Sequence, residues 1–373
     1  MQIIEIGKLL IYEQPSKYIV KSTEYDDYYA IPVLTAGKTF ILGYTDETDN
    51  VFDKLPVIIF DDFTTATKYV DFKFKVKSSA MKILHINQEL VLPKYIFYRL
   101  QTINIDHSTH KRYWIQQYSK IKITIPTILE QERIVKQIEE SMSQLDSAVA
   151  TLKKTKQQLE IYRQAVLTEV FRHLSNQHPI TDYFDISSGL TKNSKRNTFS
   201  TKMPYLRVAN VYYDCLDLSE IKTIGVTENE IQQTLLKKED ILFVEGNGSK
   251  SQIGRVAIWD GSIENILHQN HIIKGRPNGK MLPKYALYYL MSNYGRNQIY
   301  KVASSTSGLY TLSTNKIRNL QIPYCNLAAQ QKIISMIEEK ISLCKSIEKA
   351  IDQSLQQAEA LRQSILKQAF EKG

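Results

Sequence analysis

Four groups of residues have types and spacing that suit chemistry. His107-Ser-Thr-His110 and His268-Gln-Asn-His271 each set two imidazoles three positions apart, as metal sites often do. Asp61-Asp62 sets two carboxylates together after an apolar run, as a metal-dependent nuclease would. Gly246-Asn-Gly-Ser-Lys-Ser-Gln252 is a run whose backbone amides can approach a phosphate closely. None is completed. Neither histidine pair lies in a Cys, Asp or Glu cluster, so both read as surface or DNA-facing and no metal site is expected. Asp61-Asp62 lacks a following Glu-x-Lys, and its counterpart near Glu245 has changed chemistry, so it reads as a loop at a strand end. The glycine-rich run lacks the Gly-Lys-Ser/Thr order and leads into a strand where a P-loop needs a helix. None of the 10 prolines adjoins another, which removes the Asn/Asp-Pro-Pro loop of an adenine methyltransferase. No catalytic residue is assigned.

The formal charge of the 373 residues is +9, which favours an acidic partner such as nucleic acid. No Asp or Glu occurs from Asn265 to Ile337, a stretch holding Lys274, Arg276, Lys280, Lys284, Arg296, Lys301, Lys316, Arg318 and Lys332. Gly189–Tyr213 and Gly246–Trp259 are also acid-free, and between Leu90 and Leu129 the only acid is Asp106. Asn, Gln, Ser, Thr and Tyr interleave with these bases, and such side chains bond to phosphates and base edges. The 3 cysteines are too scattered for a disulfide framework. With no signal-like start and no apolar run of membrane length, the expected setting is cytoplasmic.

The elements that must carry these residues are announced by a repeat. Residues 131–171 recur without a gap at 330–370, a shift of 199 with 14 of 41 positions identical. The shorter matches Leu92-Pro-Lys-Tyr/Leu282-Pro-Lys-Tyr and Ile125-Pro126/Ile322-Pro323 extend it. Residues 127–173 and 324–371 lack internal Pro and Gly and follow an Ile-Pro pair, so each reads as one long helix. Ile138, Leu145, Leu152, Leu159 and Val166 fall seven apart, as do Ile337, Cys344, Ile351, Ala358 and Ile365, the pattern of a coiled-coil seam. Pairing the two helices with each other would satisfy both seams. About 45 residues make a rod of roughly 65 Å. The intervening segments are rich in Tyr, Thr, Ile and Val, with strands expected at Val57–Phe60, Val70–Val76, Tyr205–Val208, Asp240–Val244 and Arg255–Trp259, and short helices at 93–103 and 283–299. Each segment is an α+β domain.

Two such domains alternating with two similar helices resemble the specificity subunit of type I restriction-modification systems. The resemblance rests on Ile125-Pro-Thr-Ile-Leu-Glu-Gln-Glu-Arg-Ile134 and Ile322-Pro-Tyr-Cys-Asn-Leu-Ala-Ala-Gln-Gln-Lys-Ile333, and on the tails Leu159-Glu-Ile-Tyr-Arg-Gln164 and Ala358-Glu-Ala-Leu-Arg-Gln363. It covers essentially the whole chain. One departure is Ala329-Gln330 opposite Glu130-Gln131, which leaves the capping of the second helix open. The resemblance implies target recognition domains at 1–126 and 176–323, and helices at 127–175 and 324–373 forming an antiparallel coiled coil about a pseudo-twofold axis. It also implies a bipartite double-stranded DNA target with one half-site read by each domain. The partners it implies are methyltransferase (modification) subunits, two in number, and a restriction/translocase subunit, which would carry S-adenosylmethionine, ATP and Mg; no cofactor is expected in this chain.

The polar, turn-rich loops supply the candidate DNA contacts. In the first domain these are Thr64, Thr65, Thr67, Lys68, Ser108, Thr109, Lys111, Arg112 and Tyr113. In the second they are Lys195, Arg196, Arg207, Asn210, Asn247, Ser249, Lys250, Gln252, Ser304, Ser305, Thr306 and Tyr310. A stand-alone nuclease with duplicated DNA-binding domains, working through Asp61 or the histidine pairs, and a coiled-coil scaffold without a DNA role are the alternatives.

Overall fold

A computed structural model describes residues 2–36, 39–103, 105, 113–249, 252–306 and 309–371. The chain forms two compact units, one of residues 1–153 with 352–373 and the other of 154–351. The division cuts through both long helices, which run Ile128–Glu169 and Leu327–Glu371.

In the first unit, Leu10–Glu13, Met81–Ile86, Val57–Asp61 and Thr67–Val70 form an antiparallel sheet in that order. A second sheet is ordered Ile41–Thr45, Ile31–Leu34, Lys75–Val76, its last pair parallel. Gln2–Glu5 pairs with Lys122–Ile125. The strand Val57–Asp61 is buried along its whole length because it serves two cores. Side chains alternate across a strand. Ile58 and Phe60 therefore face the core with Tyr95, Trp114 and Ile138, while Val57 and Ile59 face the one with Phe52 and Phe74. The run Val70–Val76, expected as one strand, is split, because Phe74 leaves the first sheet and pairs with Phe52 before the chain enters the second.

The second unit repeats this plan. Phe184–Ser188, Ile272–Pro277, Ile241–Val244 and Val256–Ile258 form the antiparallel sheet in the corresponding order. Lys222–Gly225, Lys202–Leu206 and Leu267–His268 form the second sheet, again with a parallel last pair. Gln177–Pro179 pairs with Gln321–Pro323. The central strand again divides its residues, Ile241 and Phe243 to one core and Leu242 and Val244 to another. The helix expected over 283–299 is two, Pro283–Met291 and Asn293–Val302. Ser292 separates them with an extended backbone, and its hydroxyl accepts from Gly295 N to cap the second.

The retained Leu-Pro-Lys-Tyr motifs fasten each domain to its following helix. The Gln131 side chain is fully buried, accepts from Leu92 N at 2.8 Å and donates to the carbonyls of Pro126 and Leu90. Gln330, equally buried, accepts from Leu282 N at 2.8 Å and donates to Cys325 O. Lys94 pairs with Glu139 and Lys284 with Glu338, both at 2.5 Å. Thr127 Oγ1 accepts from Glu130 N and Asn326 Oδ1 from Ala329 N, so the second helix is capped without the missing acid. Each core also takes the end of the other helix. Tyr95 packs edge-on against Phe370 in the first unit, and Tyr285 against Phe171 in the second, both at 5.4 Å between centroids. Arg362 bonds to Asp146 in the first unit and Arg163 to Glu348, at 2.6 Å, in the second. Among the seam residues, Ile138, Leu145, Val166, Ile337, Cys344, Ile351 and Ala358 are buried, while Leu152, Leu159 and Ile365 are half-buried.

Candidate nucleic-acid interface

In the first domain the strand Val57–Asp61 ends in a tight loop that returns as Thr67–Val70. Asp61 organises it: its carboxylate accepts from Phe63 N at 2.9 Å and from Thr64 Oγ1 at 2.6 Å. Thr65 takes φ +59, the left-handed region, which the bond from its N to Asp61 O helps to hold. Asp62 is buried and accepts from Trp114 N at 2.8 Å, with Lys82 Nζ 3.8 Å away. Both carboxylates are therefore part of the loop's own structure, and no group of three or more His, Cys, Asp or Glu residues suited to a metal occurs among the described residues.

Thr64 and Lys68 line a cleft of about 570 Å³ with Thr35 and Phe40, and Lys68 Nζ stands 5.9 Å from the Phe40 ring centre. Thr35 and Phe40 come from a distant hairpin and carry no charge, so nothing in the sequence linked them to this loop. Tyr113 needs correction. It is 2 % exposed, its backbone N bonds to Asp62 O, and it packs the domain rather than facing a ligand. Ser108, Thr109, Lys111 and Arg112, like His107 and His110, lie outside the described residues.

In the second domain the structure brings together two segments chosen separately. Gly246–Asn247, Leu309–Thr311 and Ser304–Thr306 form one three-stranded sheet, with Asn247 opposite Tyr310 and Tyr310 opposite Ser305. Ser249 and Gln252 flank it in the turn, joined by a bond from Gln252 N to Ser249 O. Gly254 closes that turn at φ +62, where a Cβ would lie 2.6 Å from Ile299 Cγ2, so the position needs glycine. Lys250 lies outside the described residues.

Lys195 is exposed, but its neighbour Arg196 is not. At 7 % exposure Arg196 donates to Glu230 at 2.7 Å and to the carbonyls of Thr191 and Gly225. The guanidinium holds the Glu230 carboxyl down at about 2. Asn210, 3 % exposed, bonds to Arg207 N and to the carbonyls of Asp217 and Glu220. Both are structural residues, not contacts. Arg207 donates to the Glu220 carboxylate at 2.8 Å and is one-fifth exposed. His268 is wholly buried; burial, then Lys274, holds its imidazole down at about 3, so it is neither a surface nor a DNA-facing group. His271 instead faces Glu245 at 2.9 Å.

The long acid-free stretch is not an unpartnered basic patch in space. Lys274 donates to the carbonyls of Gln233 and Leu235, and Arg276 to Asp240. Arg296 bonds to Ile253 O and Gly254 O, Arg318 to Ile186 O, Lys316 to Thr311 O and Lys284 to Glu338. Lys280, Lys301 and Lys332 remain exposed.

Comparison with known proteins agrees with this architecture. Residues 176–357 match the type I restriction modification DNA specificity domain. The chain is 32% identical over 376 residues to the type I restriction enzyme EcoR124I/EcoR124II specificity subunit of Escherichia coli, covering 95% of this chain and 90% of that one. It is 28% identical over 267 residues to the EcoKI specificity subunit of Escherichia coli strain K12, covering 68% and 58%. In fold it resembles a chain from a study of complex assembly and conformational transition of the type I R-M system (TM-score 0.71, 16% identity, covering 99% and 97%). It also resembles the HsdS subunit of Thermoanaerobacter tengcongensis (TM-score 0.53, 16% identity, covering 99% and 96%). With a relative 32% identical over 95% of its length, the chain belongs to the specificity subunits of type I restriction-modification systems.

Proposed function

We propose that each globular domain reads one half of a bipartite double-stranded DNA target, while the two long helices pair antiparallel and fix the spacing between the readers. The observation that carries this reading is the duplication of the three-sheet topology, with each domain fastened to its helix by the same buried glutamine. The Arg362–Asp146 and Arg163–Glu348 pairs support the antiparallel direction, since higher numbers on one helix meet lower numbers on the other. Two readers on a rigid frame gain effective concentration for the second half-site only at the right spacing, and bases between the half-sites go unread. Exposed Lys195 and Lys68 and the small sheet bearing Asn247, Ser305 and Tyr310 are the contacts this reading favours. The helices dock methyltransferase subunits, which contribute S-adenosylmethionine chemistry, and a restriction subunit adds ATP- and Mg-dependent work; the assembly acts in the cytoplasm. Among the described residues no helix is long and apolar enough to cross a membrane.

Footprinting the chain with its methyltransferase partner on a library of DNA sites tests this. Two protected blocks separated by an indifferent gap are expected. One continuous block of required bases would defeat the reading.

A further inference from the structure

The two domains share a sheet order but hold the loop at the end of the central strand in different ways. In the first, the connection from Val57–Asp61 to Thr67–Val70 is short, and Asp61 holds it from within, through Phe63 N and Thr64 Oγ1. In the second, the connection from Ile241–Val244 to Val256–Ile258 is longer and carries Gly246, Asn247, Ser249 and Gln252. Its returning end is held from outside, by Arg296 of the helix Asn293–Val302. The guanidinium donates to Ile253 O at 2.7 Å and to Gly254 O at 3.0 Å. Its carbon stands 5.0 Å from the Tyr213 ring centre and 4.6 Å from that of Tyr300. Ile299, three residues on and so on the same helix face, packs over Gly254. The helix is itself seated on the long helix by a bond from Asn293 N to Thr168 Oγ1 at 3.4 Å. Arg296 is only 7 % exposed.

We propose that Arg296 is a positioning residue for DNA reading by the second domain, acting through the loop it holds and not by touching DNA. A planar guanidinium with its fixed fork bonds two successive carbonyls and stacks on rings at once, whereas a lysine ammonium is a point charge on a flexible stem. Fixing Ile253 and Gly254 fixes where the chain re-enters the sheet. That sets the direction in which the turn at Ser249 and Gln252 and the strand Gly246–Asn247 project. Readout of a base edge by paired hydrogen bonds tolerates little displacement, so a reading loop needs such support from packed neighbours. The inference rests on the assignment of this loop as a DNA contact. It adds that readout by the second domain depends on a residue outside the loop, while the first domain's loop is set from within.

The test assays the full chain with its methyltransferase partner on DNA whose half-sites are varied one base at a time, well below each variant's melting temperature. Arg296→Lys keeps the charge and loses the fork. Tyr300→Leu keeps both carbonyl bonds and removes one ring, and it carries the test if the lysine variant does not fold. A third variant, Ser249→Ala with Gln252→Ala, identifies the half-site that this loop reads. In Arg296→Lys, discrimination against single-base changes in that half-site should fall by about five-fold or more, with the other half-site unchanged. Amide hydrogen exchange should quicken at Asn247 and Gln252 while Ile241–Val244 stays protected. Tyr300→Leu should act in the same direction by less. A merely structural role would lower the melting temperature and leave both discriminations as they are. If the third variant alters one half-site and neither folded Arg296→Lys nor folded Tyr300→Leu does, the loop reads DNA unaided and the inference falls while that assignment stands. If none of the three alters either half-site, the loop is not a reader and the assignment falls with the inference.

Discussion

Lys195 and Arg196 are adjacent cations with different work. Lys195 is exposed, so Lys195→Ala should lower DNA affinity with no change in melting temperature and flatten the salt dependence by about one phosphate contact, roughly 0.9 in the slope of log K against log salt. An unchanged slope would remove it from the interface. Arg196 is locked to Glu230 and to two carbonyls, and its loss strands a partly buried carboxylate. Arg196→Ala should therefore cost about 2–4 kcal/mol of stability near neutral pH, read by denaturant unfolding. The pH dependence has a definite sign. The Glu230 carboxyl is lowered from 4.5 to about 2, so its contribution is present above 4.5 and is lost as pH falls through that window towards 2. The variant should lose less stability across that window than the natural chain, and parallel curves would contradict the assignment. Sequence could not separate the two residues, because charge is visible in a residue type while burial is set by what the chain folds over it.

At the scale of elements, the long helices were legible because one feature, an apolar position every seven residues, recurs over 29 residues of each without a breaker. The Ile-Pro starts were legible for a similar reason, since proline restricts the residue before it. The role of Gln131 and Gln330 was not. Both were visible as repeated residues, but their bonds run to Leu92 and Leu282, 39 and 48 positions away. Gln131→Ala and Gln330→Ala should each cost roughly 1–3 kcal/mol, because a buried backbone N–H loses its acceptor. The two losses should be similar in urea unfolding, and a negligible effect at either would mean that the joint is held by packing alone. Breaks inside the domains were also hidden. Val70–Val76 has the alternation of one strand, but its middle is drawn off by Phe52, and Ser292 stops a run that otherwise continues as helix.

For the whole molecule, the proposed frame makes spacer length a property of the helices and not of the readers. One added heptad keeps the seam in phase and lengthens a helix by about 10 Å. Seven residues inserted after Leu152 and seven after Gln357 should shift the preferred gap between half-sites while leaving both half-sites unchanged. Selection from a randomised-spacer library reads this directly, and an unchanged gap would refute the frame as a ruler. The half-site sequences themselves depend on side-chain geometry in the groove, which no spacing pattern records.

The sequence alone determined the duplication, the two helices with their seams, the α+β character of the domains and, through the resemblance, the family. These are periodic or local properties, carried by neighbours along the chain. Only the tertiary structure revealed that the two domains share one sheet topology, that each compact unit borrows a helix end from the other half of the sequence, and that most bases of the acid-free stretch already have partners. The reason is that a backbone carbonyl is an acceptor no composition count includes. A fold can bring Leu235 to Lys274, or Gly254 to Arg296, from some 40 residues away.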